Sequence, residues 1–302
     1  TRIFKRTFIL LLTLILLTLF VLNASRPGAR AEGCPDGCSS APNRRAGPLR
    51  VLSLNMLHGI PWFERLGLRV DLIAAEIKRL DADVVLLQEV PWTLRTGNVA
   101  ARLAKELGYN HLYYRANANR HLIFFEEGEA ILSRFPLEDA AFTELNPPQS
   151  TFENRVALGV KALTPWGEVS FFVAHLTNKD DRVGAGQADS LRRFVEAHNA
   201  DLAVVAGDFN AFEDSSQIRQ LASAWTDTYR RVHPDDAGLT CCIDDLRAGP
   251  GELLEERIDY VFLAGDFHQL VSAEHAFYSP FQVSDGWQWA SDHTGLLVEL
   301  EP

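Results

Sequence analysis

Two short polar clusters contain the residue types that phosphoester cleavage requires. Gly207-Asp208-Phe209-Asn210 follows an apolar run over residues 203–206, and Ser291-Asp292-His293 precedes a largely apolar run over residues 295–300. Hydrolysis of a phosphoester needs neutralised phosphoryl oxygens, an oriented water and a proton for the leaving oxygen. Carboxylate, amide and imidazole groups can supply these functions. The two clusters therefore predict two halves of one phosphate-cleaving site.

A carboxylate that follows an apolar strand is the first candidate for a metal ligand. Residues 84–87 are Val-Val-Leu-Leu, which predicts a buried strand, and Glu89 emerges at its end. Carboxylate oxygens suit Mg²⁺ or Mn²⁺. Asn55, which closes the run over residues 50–54, is a weaker candidate because asparagine after a strand is commonly a turn residue. Taken alone, Glu89 is equally consistent with a surface glutamate at a strand end.

The spacing of Asp208 and Asn210 indicates how they act. Residues i and i+2 of an extended chain point the same way, so we expect both side chains to converge on one phosphate and its attacking water. The alternative is an Asx turn, in which the aspartate bonds its own backbone two residues further on.

Histidine is the natural proton carrier near neutral pH, and a neighbouring carboxylate orients it and raises its pKa. His175 ends an apolar run and His293 precedes one. Asp259, a charged residue between apolar ones, is the candidate partner of His293, and Glu129 is the candidate partner of His175. A structural role is expected for the other histidines, His58, His111, His121, His198, His233, His268 and His275.

Alternating strand-like and helix-like patterns predict one mixed α/β domain over residues 49–302. Strands are predicted at residues 50–54, 84–90, 130–132, 156–163, 169–176, 202–207, 258–263 and 295–300. Helices are predicted at residues 70–80, 98–107 and 187–197, where apolar residues recur at helical spacing.

The N-terminal segment has the pattern of an export signal. Residues 8–22 are apolar apart from two threonines, basic residues precede them, and Ala29-Arg30-Ala31 is a typical cleavage sequence. The pattern predicts a signal peptide over residues 1–31, or an anchor that includes residues 8–24. We expect an exported protein that is secreted, periplasmic or anchored to a membrane. Residues 32–48, rich in small residues, proline and arginine, predict a flexible linker.

The charge distribution bears on the substrate. The chain has a net charge of -11, but residues 51–302 hold 21 Lys/Arg and 38 Asp/Glu, a net charge of -17. An acidic body disfavours tight DNA binding through many phosphate contacts. A small phosphoester held by a local metal ion remains compatible with it, because the ion inverts the local field.

The four cysteines allow three disulfide pairings, and an exported protein would keep disulfides. Their positions are Cys34, Cys38, Cys241 and Cys242, and the spacing does not choose among the pairings. Zinc binding by Cys34 and Cys38 would need two further ligands nearby, which the sequence lacks. A local disulfide or free thiols are therefore favoured.

In chain order, these motifs together resemble the endonuclease/exonuclease/phosphatase superfamily. The matching positions are Asn55, Gln88-Glu89, residues 130–136, His175, residues 207–210, residues 257–260 and residues 291–293. The resemblance covers residues 50–300. It implies a four-layer α/β sandwich, with two packed central β-sheets flanked by helices and a Mg²⁺-dependent site at one edge of the sheets.

The resemblance also implies roles for the residues that occupy the metal positions. Glu89 would bind the metal with help from Asn55, and Asp292 would support that metal or a second one.

The remaining motif positions would carry the chemistry by the same resemblance. Asp208 would orient or activate the water, and Asn210 would hold the phosphate. His293 and Asp259 would form the essential His-Asp pair.

Three further positions give a mixed signal about the branch of the superfamily. His175 and its partner Glu129 resemble DNase I and the neutral sphingomyelinases, whereas relatives of exonuclease III usually carry tyrosine in place of that histidine. Asn178 is similar to a phosphate-contacting asparagine of the apurinic endonucleases. Arg155 could contact substrate, but a surface arginine is the favoured interpretation.

The leading hypothesis is an exported, Mg²⁺-dependent phosphodiesterase or nuclease, acting as a monomer on a nucleic acid, a lipid headgroup or a small phosphoester. One alternative is a sphingomyelinase-like lipid phosphodiesterase at a membrane, because Trp287-Gln288-Trp289 is expected to be exposed near the site. Another is a non-catalytic binding module on the same fold. The complete set of acids and imidazoles disfavours this last interpretation.

Overall fold

The computed structural model of the chain describes residues 2–24, 26–33, 47–150, 153–199, 201–265, 267 and 269–301. Cys34, Cys38, His268 and most of the predicted linker lie outside these ranges. The helices are α1 (Arg2–Ala24), α2 (Leu66–Leu80), α3 (Val99–Leu107), α4 (Asp181–His198), α5 (Ser216–Ala222) and α6 (Thr228–Val232).

The strands vary in length from 2 to 10 residues. They are β1 (Glu32–Gly33), β2 (Leu49–Asn55), β3 (Val84–Thr93), β4 (Gly97–Asn98), β5 (Asn110–Asn119), β6 (Phe125–Ser133), β7 (Leu137–Glu144), β8 (Val156–Thr164), β9 (Gly167–His175), β10 (Ala203–Asp208), β11 (Thr226–Asp227), β12 (Asp259–Ala264), β13 (Gln269–Ala276), β14 (Phe281–Val283), β15 (Gly286–Gln288) and β16 (Gly295–Glu301).

Two large sheets form the centre of the molecule. The first has the strand order β1-β5-β6-β3-β2-β16-β13, with β4 paired to β3, and the second has the order β11-β12-β10-β9-β8-β7. Their facing surfaces bury one apolar core, which includes Val51, Val84, Val204 and Val261. Because both faces of the central strands are covered, these strands are almost continuously apolar rather than alternating.

Helices cover the outer face of each sheet. In α2 the buried residues Val70, Ile73, Ala74 and Ile77 recur at helical spacing and pack on the first sheet. On the second sheet, α4 and α5 bury residues such as Leu191 and Ile218. The predicted four-layer α/β sandwich is confirmed.

The strand directions bring the polar clusters to one edge. Strands β2 and β3 are parallel, with Asn55 opposite Gln88, and β9 and β10 are parallel, with Asp208 opposite His175. Strand β12 runs antiparallel to β10 and starts opposite its end, with Asp259 opposite Asp208. Strand β16 likewise starts beside the end of β2. The ends of five strands and the middle of β3 therefore meet at one edge of the sandwich.

The N-terminal segment contains one long helix and a short return to the sandwich. The side chains of residues 4–20 of α1 are exposed. Within the described residues, no helix combines the length and apolarity needed to cross a bilayer. Ala31 is buried in the core between the sheets, and Glu32–Gly33, placed in the linker by the sequence, pairs with β5.

Candidate active site

His293 and Asp259 form a buried hydrogen-bonded pair. Nδ1 of His293 lies 2.8 Å from Oδ2 of Asp259. The hydroxyl of Thr240 accepts the backbone N–H groups of Ile258 and Asp259, each at 3.2 Å, and so holds the start of β12. Burial alone would lower the pKa of His293, but the charge and hydrogen bond of Asp259 outweigh it and raise that pKa well above its usual value.

Asp208 lies between the two candidate histidines, His175 and His293. Its Oδ2 is 3.4 Å from Nε2 of His175 and 3.8 Å from Nε2 of His293. Burial and the neighbouring charge of Asp259 raise the pKa of Asp208 to about 7. The preceding Gly207 allows β9 to approach, because a Cβ there would lie 1.8 Å from the carbonyl oxygen of Ala174.

Asn210 converges with Asp208 through a turn rather than along an extended strand. Its N–H donates to Oδ1 of Asp208 at 2.8 Å, and its φ is 48°, in the left-handed region. This is the Asx turn that was the alternative interpretation. The side-chain nitrogen lies 2.9 Å from Nε2 of His175 and donates to the carbonyl of Leu176 at 3.0 Å. The expectation of an extended i, i+2 pair is therefore corrected.

Glu129 does not orient His175. Both residues are buried, but Oε2 of Glu129 and Nδ1 of His175 have no hydrogen-bond partner, and no bond joins the two residues in the described structure. Burial lowers the pKa of His175 well below its usual value, and burial together with Glu127 raises that of Glu129 well above it. Both shifts favour the neutral forms, and the side chains that position His175 are those of Asn210 and Asp208.

Glu89 leaves strand β3 at a bulge. The pairing of β3 with β6 shifts between Leu87 and Val90, and the φ of Glu89 is 55°. Bulges of this kind redirect side chains next to active sites. Oε2 accepts the N–H of His58 at 3.1 Å and lies 3.4 Å from its Nε2. Burial would raise the pKa of Glu89, but His58 and other neighbours lower it overall.

Asn55 connects the metal candidates to Asp208. Its Nδ2 donates to Oε1 of Glu89 at 3.2 Å and to Oδ2 of Asp208 at 3.0 Å, while its Oδ1 accepts the N–H of Leu57. In this orientation the amide nitrogen faces the carboxylates, so metal binding through oxygen requires the amide to rotate.

Asp292 is half-buried near Glu89 and His293. Its Oδ1 accepts a hydrogen bond from the hydroxyl of Ser291 at 3.2 Å. Burial raises the pKa of Asp292, and the nearby charge of Glu89 raises it further. Two like charges at this depth favour a cation between them.

The donor set fits a hard divalent cation. Glu89 and Asp292 provide carboxylate oxygens, and Asn55 and Asp208 adjoin them. The ligand atoms of Asp208, Asp259 and His293 also lie within 4.8 Å of one another. The residues present therefore suit Mg²⁺ or Mn²⁺.

Sequence reasoning missed two residues that support this site. Arg69 is fully buried, and its guanidinium donates to the carbonyls of Met56 at 2.9 Å, Leu57 at 2.9 Å, Ala290 at 3.1 Å and Glu64 at 3.1 Å. Burial lowers its pKa to about 10 against the charges of Asp292 and Glu89. An arginine on the apolar face of α2 was the available signal. His58, assigned a structural role from the sequence, contacts Glu89.

Two further assignments differ from the sequence interpretation. Arg155 is buried rather than superficial, and its guanidinium donates to the side chains of Gln149 at 2.9 Å and Glu153 at 3.2 Å. Asn178 is exposed and forms no hydrogen bond with the described residues of the site.

Comparisons with known proteins agree with this architecture. A 19% identical structure from Leptotrichia buccalis, an endonuclease/exonuclease/phosphatase family protein, superposes with a TM-score of 0.65 over 84% of this chain and 100% of its own. TDP2 from C. elegans is 17% identical, with a TM-score of 0.64 over 84% of this chain and 75% of its own. The Bacteroides thetaiotaomicron mannosyl-6-phosphatase is 18% identical, with a TM-score of 0.63 over 83% and 99%.

A search of curated proteins found no matching sequence. The structural similarities, all below 25% identity, show the fold. The model of the Endonuclease/Exonuclease/phosphatase family matches residues 52–293, which contain Asn55, Glu89, His175, Asp208, Asp259 and His293. The chain belongs to the endonuclease/exonuclease/phosphatase family.

Proposed function

We propose that the protein is a Mg²⁺-dependent hydrolase of phosphodiesters. One observation carries the proposal: a single oxygen, Oδ2 of Asp208, lies 3.0 Å from Asn55 on the metal side and 3.8 Å from Nε2 of His293 on the other. Groups that bind a cation and groups that transfer protons thus converge on one point. Phosphoester hydrolysis requires that convergence.

Glu89 and Asp292, with a rotated Asn55, would hold the metal. When bound, Mg²⁺ would neutralise the phosphoryl oxygens and lower the barrier to attack. Asn210 would donate its side-chain N–H to the phosphate, and neutral His175 would line the same pocket. These contacts orient the phosphorus relative to Asp208.

The proton transfers follow from the two histidine and carboxylate environments. Water attacks phosphorus, its proton goes to Asp208, and the bond from phosphorus to the leaving oxygen breaks. The His293 imidazolium gives its Nε2 proton to that oxygen, while Asp259 holds the Nδ1 side of the ring. A raised pKa keeps His293 protonated before this step.

A substrate panel tests the proposal. The full chain is assayed with Mg²⁺, with Mn²⁺ and with EDTA against DNA, RNA, bis-p-nitrophenyl phosphate, sphingomyelin, inositol phosphates and a sugar phosphate monoester. We expect EDTA-sensitive cleavage of a diester that Asp208→Ala removes while circular dichroism is unchanged. Absence of metal-dependent cleavage across the panel contradicts the proposal, and cleavage of the monoester alone replaces it with a phosphatase.

A lipid phosphodiester at a membrane is the second candidate, favoured by an apolar rim beside the metal side. A cavity of about 550 Å³ there is lined by residues that include Trp62, Leu94 and Phe124, which are 87%, 69% and 57% exposed. Phe63 also lines the cavity, and its ring is 5.5 Å from that of Phe125, which in turn lies 5.4 Å from the ring of His58. Exposed aromatic and aliphatic side chains of this kind insert into lipid interfaces.

The sequence interpretation based the lipid candidate on Trp287-Gln288-Trp289. The proposal now rests on the exposed residues of this rim instead. Trp289 is buried, and its Nε1 donates to the carbonyl of Ala248 at 3.1 Å. We expect Trp62→Ser to reduce cleavage of sphingomyelin in vesicles more than cleavage of bis-p-nitrophenyl phosphate. Equal effects on both substrates, or no vesicle binding by the wild type, would remove the lipid candidate.

Export, by a cleaved signal over residues 1–31 or an anchor that includes residues 8–24, remains part of the proposal. Cell fractionation with N-terminal sequencing of the recovered protein distinguishes the two.

A further inference from the structure

The two cysteines of the late loop lie directly against His293. Cys241 and Cys242 form a disulfide, and Sγ of Cys241 is 3.5 Å from Nε2 of His293. Asp259 occupies Nδ1 of the same ring, so Nε2 is the nitrogen that faces the sulfur. One ligand atom from each cysteine and from His293 lies within 4.8 Å of the others.

Backbone hydrogen bonds hold this loop in place without help from the disulfide. The N–H of Ile243 donates to the carbonyl of Asp292 at 2.8 Å, and the N–H of Thr294 donates to the carbonyl of Thr240 at 2.8 Å. These bonds flank Cys241 and His293 on both sides, so the two side chains stay adjacent when the disulfide is reduced.

The two sulfurs differ in access. Cys241 is fully buried, whereas Cys242 is exposed and lines an open cavity of about 460 Å³. The same cavity is lined by four carboxylates, Asp244, Glu252, Glu255 and Glu256. None of the four pairs with a basic side chain in the described part of the chain. The entrance therefore attracts cations and repels anionic thiols.

We propose that Cys241, Cys242 and His293 form a reduction-dependent site for a thiophilic divalent cation such as Zn²⁺ or Cd²⁺. Thiolate and imidazole are the ligands that these ions prefer, and they differ from the oxygen ligands on the Glu89 side. Solvent supplies the remaining coordination position. This assignment does not depend on the phosphodiesterase proposal; only its consequence for activity does.

The chemistry balances with a neutral dithiol as the reductant. The dithiol loses two electrons and two protons to become a cyclic disulfide, and the Cys241–Cys242 bond breaks to give two thiols. Binding of the cation then releases both thiol protons and the Nε2 proton of the His293 imidazolium to solvent, so that His293 contributes the Nε2 lone pair. The bound cation takes the nitrogen that gives its proton to the leaving oxygen, so it blocks hydrolysis.

Direct metal binding tests the site independently of any substrate. The full chain carrying Cys34→Ser and Cys38→Ser, which removes the other thiols, is reduced with dithiothreitol and desalted without oxygen. Cd²⁺ is then titrated in excess Mg²⁺, and the ultraviolet thiolate-to-cadmium absorption is followed. We expect one Cd²⁺ per reduced chain and no absorption change for the disulfide form.

Substitutions distinguish this site from other binding. Cys242→Ser should abolish the two-thiolate absorption, and His293→Gln should keep the absorption while weakening Cd²⁺ binding at least about 10-fold. Circular dichroism checks each fold, and Cys242 is the safer substitution because it is exposed. Failure of the reduced chain to bind Cd²⁺, or unchanged affinity in His293→Gln, overturns the proposal. An inactive protein that still binds Cd²⁺ contradicts only the hydrolase proposal.

Discussion

The two sides of the active site are built on opposite electrostatic principles. On the histidine side, which comprises Asp208, Asp259 and His293, acids and imidazole stabilise one another, and the His293–Asp259 hydrogen bond is 2.8 Å long. On the carboxylate side, which comprises Asn55, Glu89 and Asp292, like charges lie together, and the charge of Glu89 raises the pKa of Asp292.

From this difference we expect the carboxylate side, rather than the histidine side, to depend on a cation. The histidine side holds one ion pair without metal, His293 with Asp259, while burial and the charge of Asp259 raise the pKa of Asp208. The carboxylate side is held by Arg69 and His58 and by a left-handed residue at a bulge. Backbone strain such as that at Glu89, and like charges such as those of Glu89 and Asp292, persist in a folded protein where a bound ligand offsets their unfavourable energy. Four predictions test this contrast.

The largest effect is expected on the histidine side. His293→Ala should lower kcat by about 10²–10⁴-fold, because the leaving oxygen loses its proton donor. The increase in melting temperature caused by Mg²⁺ should remain, since the carboxylate side is intact. His198→Ala, on α4 and bonded to the carbonyl of Phe194, is the control. Loss of the Mg²⁺ effect in His293→Ala would show that the two sides are not separable.

Arg69 should dominate the stability of the carboxylate side. Arg69→Met leaves four carbonyls and two nearby carboxylates without their buried cation, so the free energy of unfolding in urea should fall by about 3–5 kcal/mol. Arg79→Met, an exposed position on the same helix, should change it by less than about 1 kcal/mol. Equal effects of the two substitutions would contradict a supporting role for Arg69.

Glu89→Gln should separate metal binding from folding. At a Mg²⁺ concentration 100 times the dissociation constant, the wild type should gain about 2.7 kcal/mol of stability, and Glu89→Gln should lose most of that gain. Without metal, Glu89→Gln should be somewhat less stable than the wild type, because His58 and other neighbours outweigh burial, lower the pKa of Glu89 and so favour its ionised carboxylate in the folded state. Exposed Glu138→Gln is the matched control, and calorimetry measures all three proteins. Full Mg²⁺ stabilisation of Glu89→Gln would refute its role as a ligand.

The fourth prediction is a pH dependence at Asp208, with a modest change in stability for each pH unit. Its folded pKa of about 7 exceeds the ordinary value of 3.8, so the folded state binds the proton more tightly. Its contribution to stability is therefore full below pH 3.8 and is lost as pH rises to about 7. Relative to Asp208→Asn, metal-free wild type should lose stability across this window by at most about 1.4 kcal/mol per pH unit.

Chemical unfolding at several pH values measures that difference, with exposed Asp235→Asn as the control. If the wild type instead gained stability relative to Asp208→Asn as pH rises, the pKa of Asp208 would not be raised in the folded state.

The sequence pattern predicts one mixed α/β domain and most strands that hold the site, and the resemblance to the family implies the four-layer sandwich. Short apolar runs such as residues 84–87 indicate strands that are buried on both faces. Strands with mixed surfaces, such as β5 (Asn110–Asn119) and β13 (Gln269–Ala276), escaped prediction. Their partial exposure weakens the periodic pattern that identifies a strand.

The features of the site also fall into two groups: those that a local sequence pattern indicates and those that only three-dimensional packing determines. Residue types at strand ends indicated Glu89, Asp208, Asp259 and His293, because their chemistry is visible in a short segment. The bulge at Glu89, the burial of Arg69 and the sulfur of Cys241 beside His293 were decided only by the tertiary structure. Each depends on contacts between segments far apart in sequence, and no local pattern records those distances.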